Sequence, residues 1–199
     1  PSMAGTSGPR DFIELPSQLL EHWASEPEVL KSFAKHYETG ESIPDELIEK
    51  ILKASKFNQG FINTEYLAAS LLDMDWHTIS YTDPLIDSNE FEKVSLEKIG
   101  LIDEIAPRYR STYFAHIFSG GYSSGYYSYV HAAVLDSDAF EAFKEAGDVF
   151  DPELSTKLRK TIYEKGATEE AMDLFVNFRG RKPIIAPLLK VRGFDGSSG

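Results

Sequence analysis

Apolar residues recur at three- and four-residue intervals between proline and glycine breaks, and this pattern confines most of the chain to helices. Leu15, Leu19, Leu20 and Trp23 follow it, and so do Leu30, Phe33, Ala34 and Tyr37 after the apparent capping box Ser25-Glu26-Pro27-Glu28. Gly40 is the expected stop of that second helix. Ser42-Ile43-Pro44-Asp45 opens a third, carrying Leu47, Ile48, Ile51 and Leu52. A fourth is expected from about Thr64 to Ile79. A polar connection, Thr82 to Asn89, leads to a short one near Phe91 to Ile99. A long helix from about Tyr122 to Lys144 stops at Gly147, the next runs from Asp151-Pro152 toward Gly166, and Thr168-Glu169-Glu170 opens the last, through Phe178. Strand alternation is weak everywhere, although Tyr113 to Phe118 is compatible with a short extended piece. The expected fold class is mainly α, with room for small β pieces.

Composition narrows the functions open to such a chain. Of 199 residues, 42% are hydrophobic and 26% charged, enough apolar material for a sizeable core. Asp plus Glu number 32 against 20 Lys plus Arg, a net charge of −12 that opposes nucleic acid and anionic membrane as partners. Cysteine is absent, so disulfides, thiolate metal sites and cysteine nucleophiles are excluded. No apolar run approaches the roughly 20 residues of a membrane span.

Few residues carry chemistry. The five histidines, His22, His36, His77, His116 and His131, include no pair four apart, so no helix offers two of them to one metal ion. Near the start, Asp11, Glu14 and Glu21 flank the helix opening Pro16-Ser17-Gln18. Glu14 and Glu21 are seven apart, two helical turns. Surface solvation is one reading of these carboxylates. The other is that Glu14, inside the apolar run Phe12-Ile13-Glu14-Leu15, is buried and needs a cation or a proton.

The most unusual stretch is Tyr113-Phe114-Ala115-His116-Ile117-Phe118-Ser119-Gly120-Gly121-Tyr122-Ser123-Ser124-Gly125-Tyr126-Tyr127-Ser128-Tyr129. If it is helical beyond the glycines, Tyr122, Tyr126 and Tyr129 share one face. That face is either an aromatic packing surface or a row of phenols that, with an imidazole, donates hydrogen bonds to a developing oxyanion. Gly120 and Gly121 would allow a ligand close to the backbone. The pattern leaves both readings open.

From Arg108 through Tyr129 the sequence resembles the C-terminal signature of the peptidyl-dipeptidases, within the thimet oligopeptidase and oligopeptidase A family of zinc metallopeptidases. Gly5 through Ala24, with Arg10-Asp11-Phe12-Ile13-Glu14-Leu15-Pro16-Ser17-Gln18, is similar to the family segment that follows its zinc helix. Phe178-Arg179-Gly180-Arg181-Lys182-Pro183 is similar to its tail motif. The resemblance implies that Glu14 is the third zinc ligand and that Glu21 orients a ligand from behind. It implies that His116, Tyr122 and Tyr129 are catalytic, the tyrosines donating to the oxyanion and His116 holding the substrate backbone. Gly120, Gly121 and Tyr126 would line the substrate cleft beside them. The cofactor implied is zinc and the partner an oligopeptide substrate, shortened from its C-terminus by dipeptides.

The family's HExxH motif, source of two zinc ligands and of the water-activating Glu, does not occur in these 199 residues. Residues 1–194 are therefore expected to be the C-terminal part of a catalytic region, with 195–199 a flexible tail. The isolated chain is expected to be inactive, to pair with a missing N-terminal portion, and to self-associate through exposed apolar surface. A bacterial cytoplasmic location is the expectation. The alternatives are a non-catalytic helical peptide-binding module or one chain of a split peptidase.

Overall fold

A computed structural model describes residues 2–4, 7–80 and 84–194. The tail expected at 195–199 and the start of the connection at Thr82 lie outside the described residues. Ten α-helices are present among those described, and the β content is one isolated antiparallel bridge, Lys35 with Ser42. The mainly α expectation holds. The chain divides into two compact units, residues 58–129 and the remainder.

The larger unit is built on α1 (Leu15–Ala24), α2 (Pro27–Phe33), α3 (Asp45–Ala54), α8 (Pro152–Leu158), α9 (Ala171–Arg179), α10 (Ala186–Val191) and most of α7 (Ser128–Ala146). Leu15 and Leu19 of α1 are fully buried, one turn apart. They join Leu135, Ala139 and Phe143 of α7, spaced four apart, with Leu158 of α8 and Leu174, Phe175 and Phe178 of α9. Trp23 stands edge-on to Phe140 and Phe143, centroids 4.7 and 5.0 Å away, and its indole N–H donates to the Val149 carbonyl at 2.7 Å. Asp151 caps α8 by accepting from the Leu154 N–H, and the helix runs on into a π turn, Arg159–Tyr163, short of Gly166.

Three local expectations change. Glu26, not Ser25, is the N-cap of α2, and no side-chain cap forms, because Ser25 ends α1 and its hydroxyl donates to the His22 carbonyl. The same helix stops at Phe33 rather than near Gly40. Ala34 turns extended, and the segment folds back through His36 N–H to Glu41 O and Ile43 N–H to Ala34 O. The helical spacing of Phe33 and Tyr37 is therefore not used, and both rings are exposed. The short α10, with Pro187 in its first turn, carried no clear periodicity.

The smaller unit holds α4 (Gln59–Trp76), α5 (Ser88–Lys98), a 3-10 turn Ser111–Tyr113 and α6 (Ala115–Phe118). α4 begins one turn earlier than expected, after Asn58 in the left-handed region at φ 55°. Asp87 caps α5 through the N–H groups of Asn89 and Glu90. The piece expected to be extended, Tyr113 to Phe118, is the 3-10 turn followed by α6, with Phe114 and Ile117 buried. The long helix expected from Tyr122 starts only at Ser128. Tyr122 and Tyr126 thus belong to a turn-rich loop, and the three tyrosines do not share a helix face.

Candidate functional site

α6 places His116 one residue before buried Ile117, which anchors the helix in the smaller unit's core with Phe114 and Tyr126. Two residues past α6, Gly120 packs on its backbone: a Cβ there would lie 2.9 Å from His116 Cα and 3.0 Å from His116 O, so no side chain fits. Gly121 follows at φ 81°, a left-handed conformation that L side chains rarely adopt. The reversal is closed by Gly120 N–H to Ala115 O at 2.7 Å and Tyr122 N–H to His116 O at 2.9 Å. The two glycines thus return the chain onto α6 and bring Tyr122 beside His116.

The loop gathers the residues that its sequence spacing alone did not. Around the His116 ring stand Tyr122, Tyr126 and Tyr129, at centroid distances of 6.1, 5.7 and 6.4 Å. Tyr122 stacks on Tyr129 at 5.1 Å, and Tyr126 meets Tyr129 at 5.4 Å. Tyr126 is 2% exposed and forms the inner wall, whereas His116, Tyr122 and Tyr129 are half-buried. The cluster thus presents one imidazole and two phenols to a half-open surface, backed by a third phenol.

Residues that the sequence did not single out complete it. Tyr66 of α4 stacks on Tyr126 at 5.3 Å, and Tyr109 lies 4.8 Å from His116. Burial raises the pKa of both Tyr66 and Tyr126, and the hydrogen bond that Tyr66 donates to Tyr126 raises Tyr66 further; Arg108, over the Tyr66 ring, opposes the shift in both. Both phenols are therefore neutral hydroxyls at neutral pH. Asp73, also on α4, is fully buried and accepts from the backbone N–H of Ser124 and Tyr126. Its one visible signal is an acid next to Leu72, on a helix that also buries Ala68 and Ala69.

Glu14 and Glu21 belong to the larger unit. Glu14 is the N-cap of α1, half-buried between buried Phe12 and Leu15, and its carboxylate accepts from the Ser17 hydroxyl at 2.8 Å. Glu21 is exposed on α1, in a recess of about 240 Å³ that also holds His22 and Asp136. The imidazole of His22 lies 2.7 Å from the Asp136 carboxylate, which Gln18 also contacts at 3.0 Å. His131 contacts the Asp11 carbonyl at 2.9 Å. Among the described residues no three His, Cys, Asp or Glu side chains are grouped to hold a metal ion. Glu14 is of the donor type that zinc accepts, so it fits one ligand position, and the described residues do not by themselves make a full site.

The comparisons with known proteins agree among themselves. The sequence is 42% identical over 195 residues to the dipeptidyl carboxypeptidase of Escherichia coli K12, and equally to that of Salmonella typhimurium. It is 38% identical over 200 residues to the oligopeptidase A of Escherichia coli K12. Each match covers 98% of this chain and 28% of the relative, so the chain spans little more than a quarter of the length of these proteins. The profile of peptidase family M3 matches residues 1–194, and the chain belongs to that family.

Proposed function

We propose that this chain is the C-terminal part of the catalytic region of a zinc metallopeptidase that releases dipeptides from the C-termini of oligopeptides. The observation that carries the reading is the gathering of His116, Tyr122 and Tyr129 into one half-open cluster beside Gly120-Gly121, in a sequence 42% identical along almost its whole length to dipeptidyl carboxypeptidases. The phenol O–H groups of Tyr129 and Tyr122 donate to the oxyanion that forms on the scissile carbonyl. His116 holds the substrate backbone, and the bare backbone at Gly120 and Gly121 lets a peptide pass close by. Tyr126 forms the inner wall of that cleft. Glu14 supplies one carboxylate ligand to zinc, with Glu21 behind it, and the other ligands come from a HExxH helix outside this chain; when bound, the ion supplies Lewis-acid polarisation and an activated water. The N-terminal portion that carries that helix is the chain's partner.

The test uses the whole peptidase that contains this sequence. Dipeptide release from an oligopeptide is expected to be abolished by a chelator. Tyr129→Phe is expected to lower kcat by about 10²- to 10³-fold with little change in KM, the size of a lost oxyanion donor. Undiminished turnover by that variant, or products other than dipeptides, would overturn the reading.

A further inference from the structure

We infer that Asp73 is a positioning residue for the Tyr122–Tyr129 loop, its buried carboxylate fixing by backbone hydrogen bonds the turn that sets the three phenols against His116. This rests on the proposed function of that cluster. Asp73 projects from α4 with no exposed surface. A carboxylate so placed must be satisfied by donors, and two backbone amides supply them. The Ser124 N–H donates to Oδ1 at 3.0 Å and the Tyr126 N–H donates to Oδ2 at 2.9 Å, while His77 Nδ1, 2.8 Å from Oδ1, is hydrogen-bonded to the Asp73 carbonyl oxygen at 2.8 Å. The two amides flank Gly125, so the two carboxylate oxygens hold both sides of one turn.

The turn needs holding. Ser124 sits at φ 52°, a left-handed conformation unfavourable for a residue with a Cβ. The first half of the loop is tied to α6, by Tyr122 N–H to His116 O and by the Ser123 hydroxyl to Ile117 O at 2.5 Å. Asp73 ties the second half to α4, which also carries Tyr66, the ring stacked on Tyr126 at 5.3 Å. Tyr122 and Tyr129 stack across the turn that it clamps. Asp73 therefore acts on the cluster through main-chain amides and through the helix that bears Tyr66. Asn would retain one acceptor oxygen but point an amide N–H₂ at the second backbone donor.

Amide hydrogen exchange on the 199-residue chain tests the clamp. In the wild type, the Ser124 and Tyr126 amides should be protected despite lying outside any helix. Asp73→Asn should speed their exchange by about 10- to 100-fold while amides of α9 are unchanged. Exchange at unprotected rates in the wild type would overturn the inference even if the variant does not fold. So would equal acceleration throughout the chain, which marks a merely structural role. In the whole peptidase, Asp73→Asn should lower kcat by roughly 100-fold with KM nearly unchanged. If Tyr129→Phe lowers kcat and Asp73→Asn does not, the inference fails and the proposed function stands. If Tyr129→Phe has no effect, the functional reading fails, and the positioning role for catalysis fails with it, whatever the exchange shows.

Discussion

Gly120 shows how little freedom the site's backbone has. Its missing side chain leaves room for the His116 main chain, which cannot yield as the end of a flexible side chain would. Gly120→Ala is expected to destabilise the chain by about 1–3 kcal/mol, the usual cost of overpacking, and to displace His116. A urea midpoint unchanged from wild type would contradict the packing. Tyr66 gives a second prediction. Its folded pKa lies above the ordinary tyrosine value of 10.0, so the unfolded chain loses this proton first as pH rises. Stability is then intact below about pH 10 and falls above it, and Tyr66→Phe should lessen that fall. Urea titrations on either side of that pH decide it: a wild-type midpoint that holds on the alkaline side counts against buried phenols.

At the scale of elements, a buried ionic knot holds the C-terminal segment to α7. Asp138 has no exposed surface and receives Arg179 Nε at 3.1 Å, both Arg181 terminal nitrogens at 2.6 Å, and the Ile184 N–H at 2.9 Å. Burial alone would raise its pKa, but the hydrogen bonds from Arg181, Ile184 and Arg179 outweigh burial and hold the carboxyl below its usual value of 3.8. The stability it confers is therefore complete above about pH 4 and is lost as pH falls through the lower folded value. Asp138→Ala is expected to cost about 3–5 kcal/mol, because two guanidinium groups then lose their buried partner. A thermal scan at neutral pH showing no loss would refute this. The resemblance in Phe178-Arg179-Gly180-Arg181-Lys182-Pro183 was readable from sequence, but its mate on α7 was not. Asp138 lies 41 positions before Arg179, and only packing makes them neighbours.

At the scale of the molecule, the chain carries one zinc-ligand candidate from the family pattern and no grouped set among its described residues. The purified 199-residue chain is expected to show no chelator-sensitive peptidase activity and to bind zinc weakly. Cleavage by the chain alone that stops on adding a chelator would refute this. Several large apolar side chains are exposed on the larger unit, among them Phe33, Leu47 and Ile51, and on the smaller unit Phe61, Leu67 and Leu71. No described helix is long and apolar enough to cross a membrane.

The sequence by itself determined the helical class, the start of α8 at Asp151-Pro152, the stop of α7 at Gly147, the bounds of α9, and the residue types at the site. Those follow from local physics: 3.6-residue periodicity, the φ of proline and glycine, and the capping aspartate at position 151. Tertiary structure decided where local signals competed. Helical spacing at Phe33 and Tyr37 gave way to a backbone turn, and at Tyr122 and Tyr126 to a loop. The loop won because Asp73, some fifty residues earlier, supplies both amides with a charged acceptor that no neighbour in the sequence provides. The three tyrosines meet His116 for that reason, and not because they are spaced like one face of a helix.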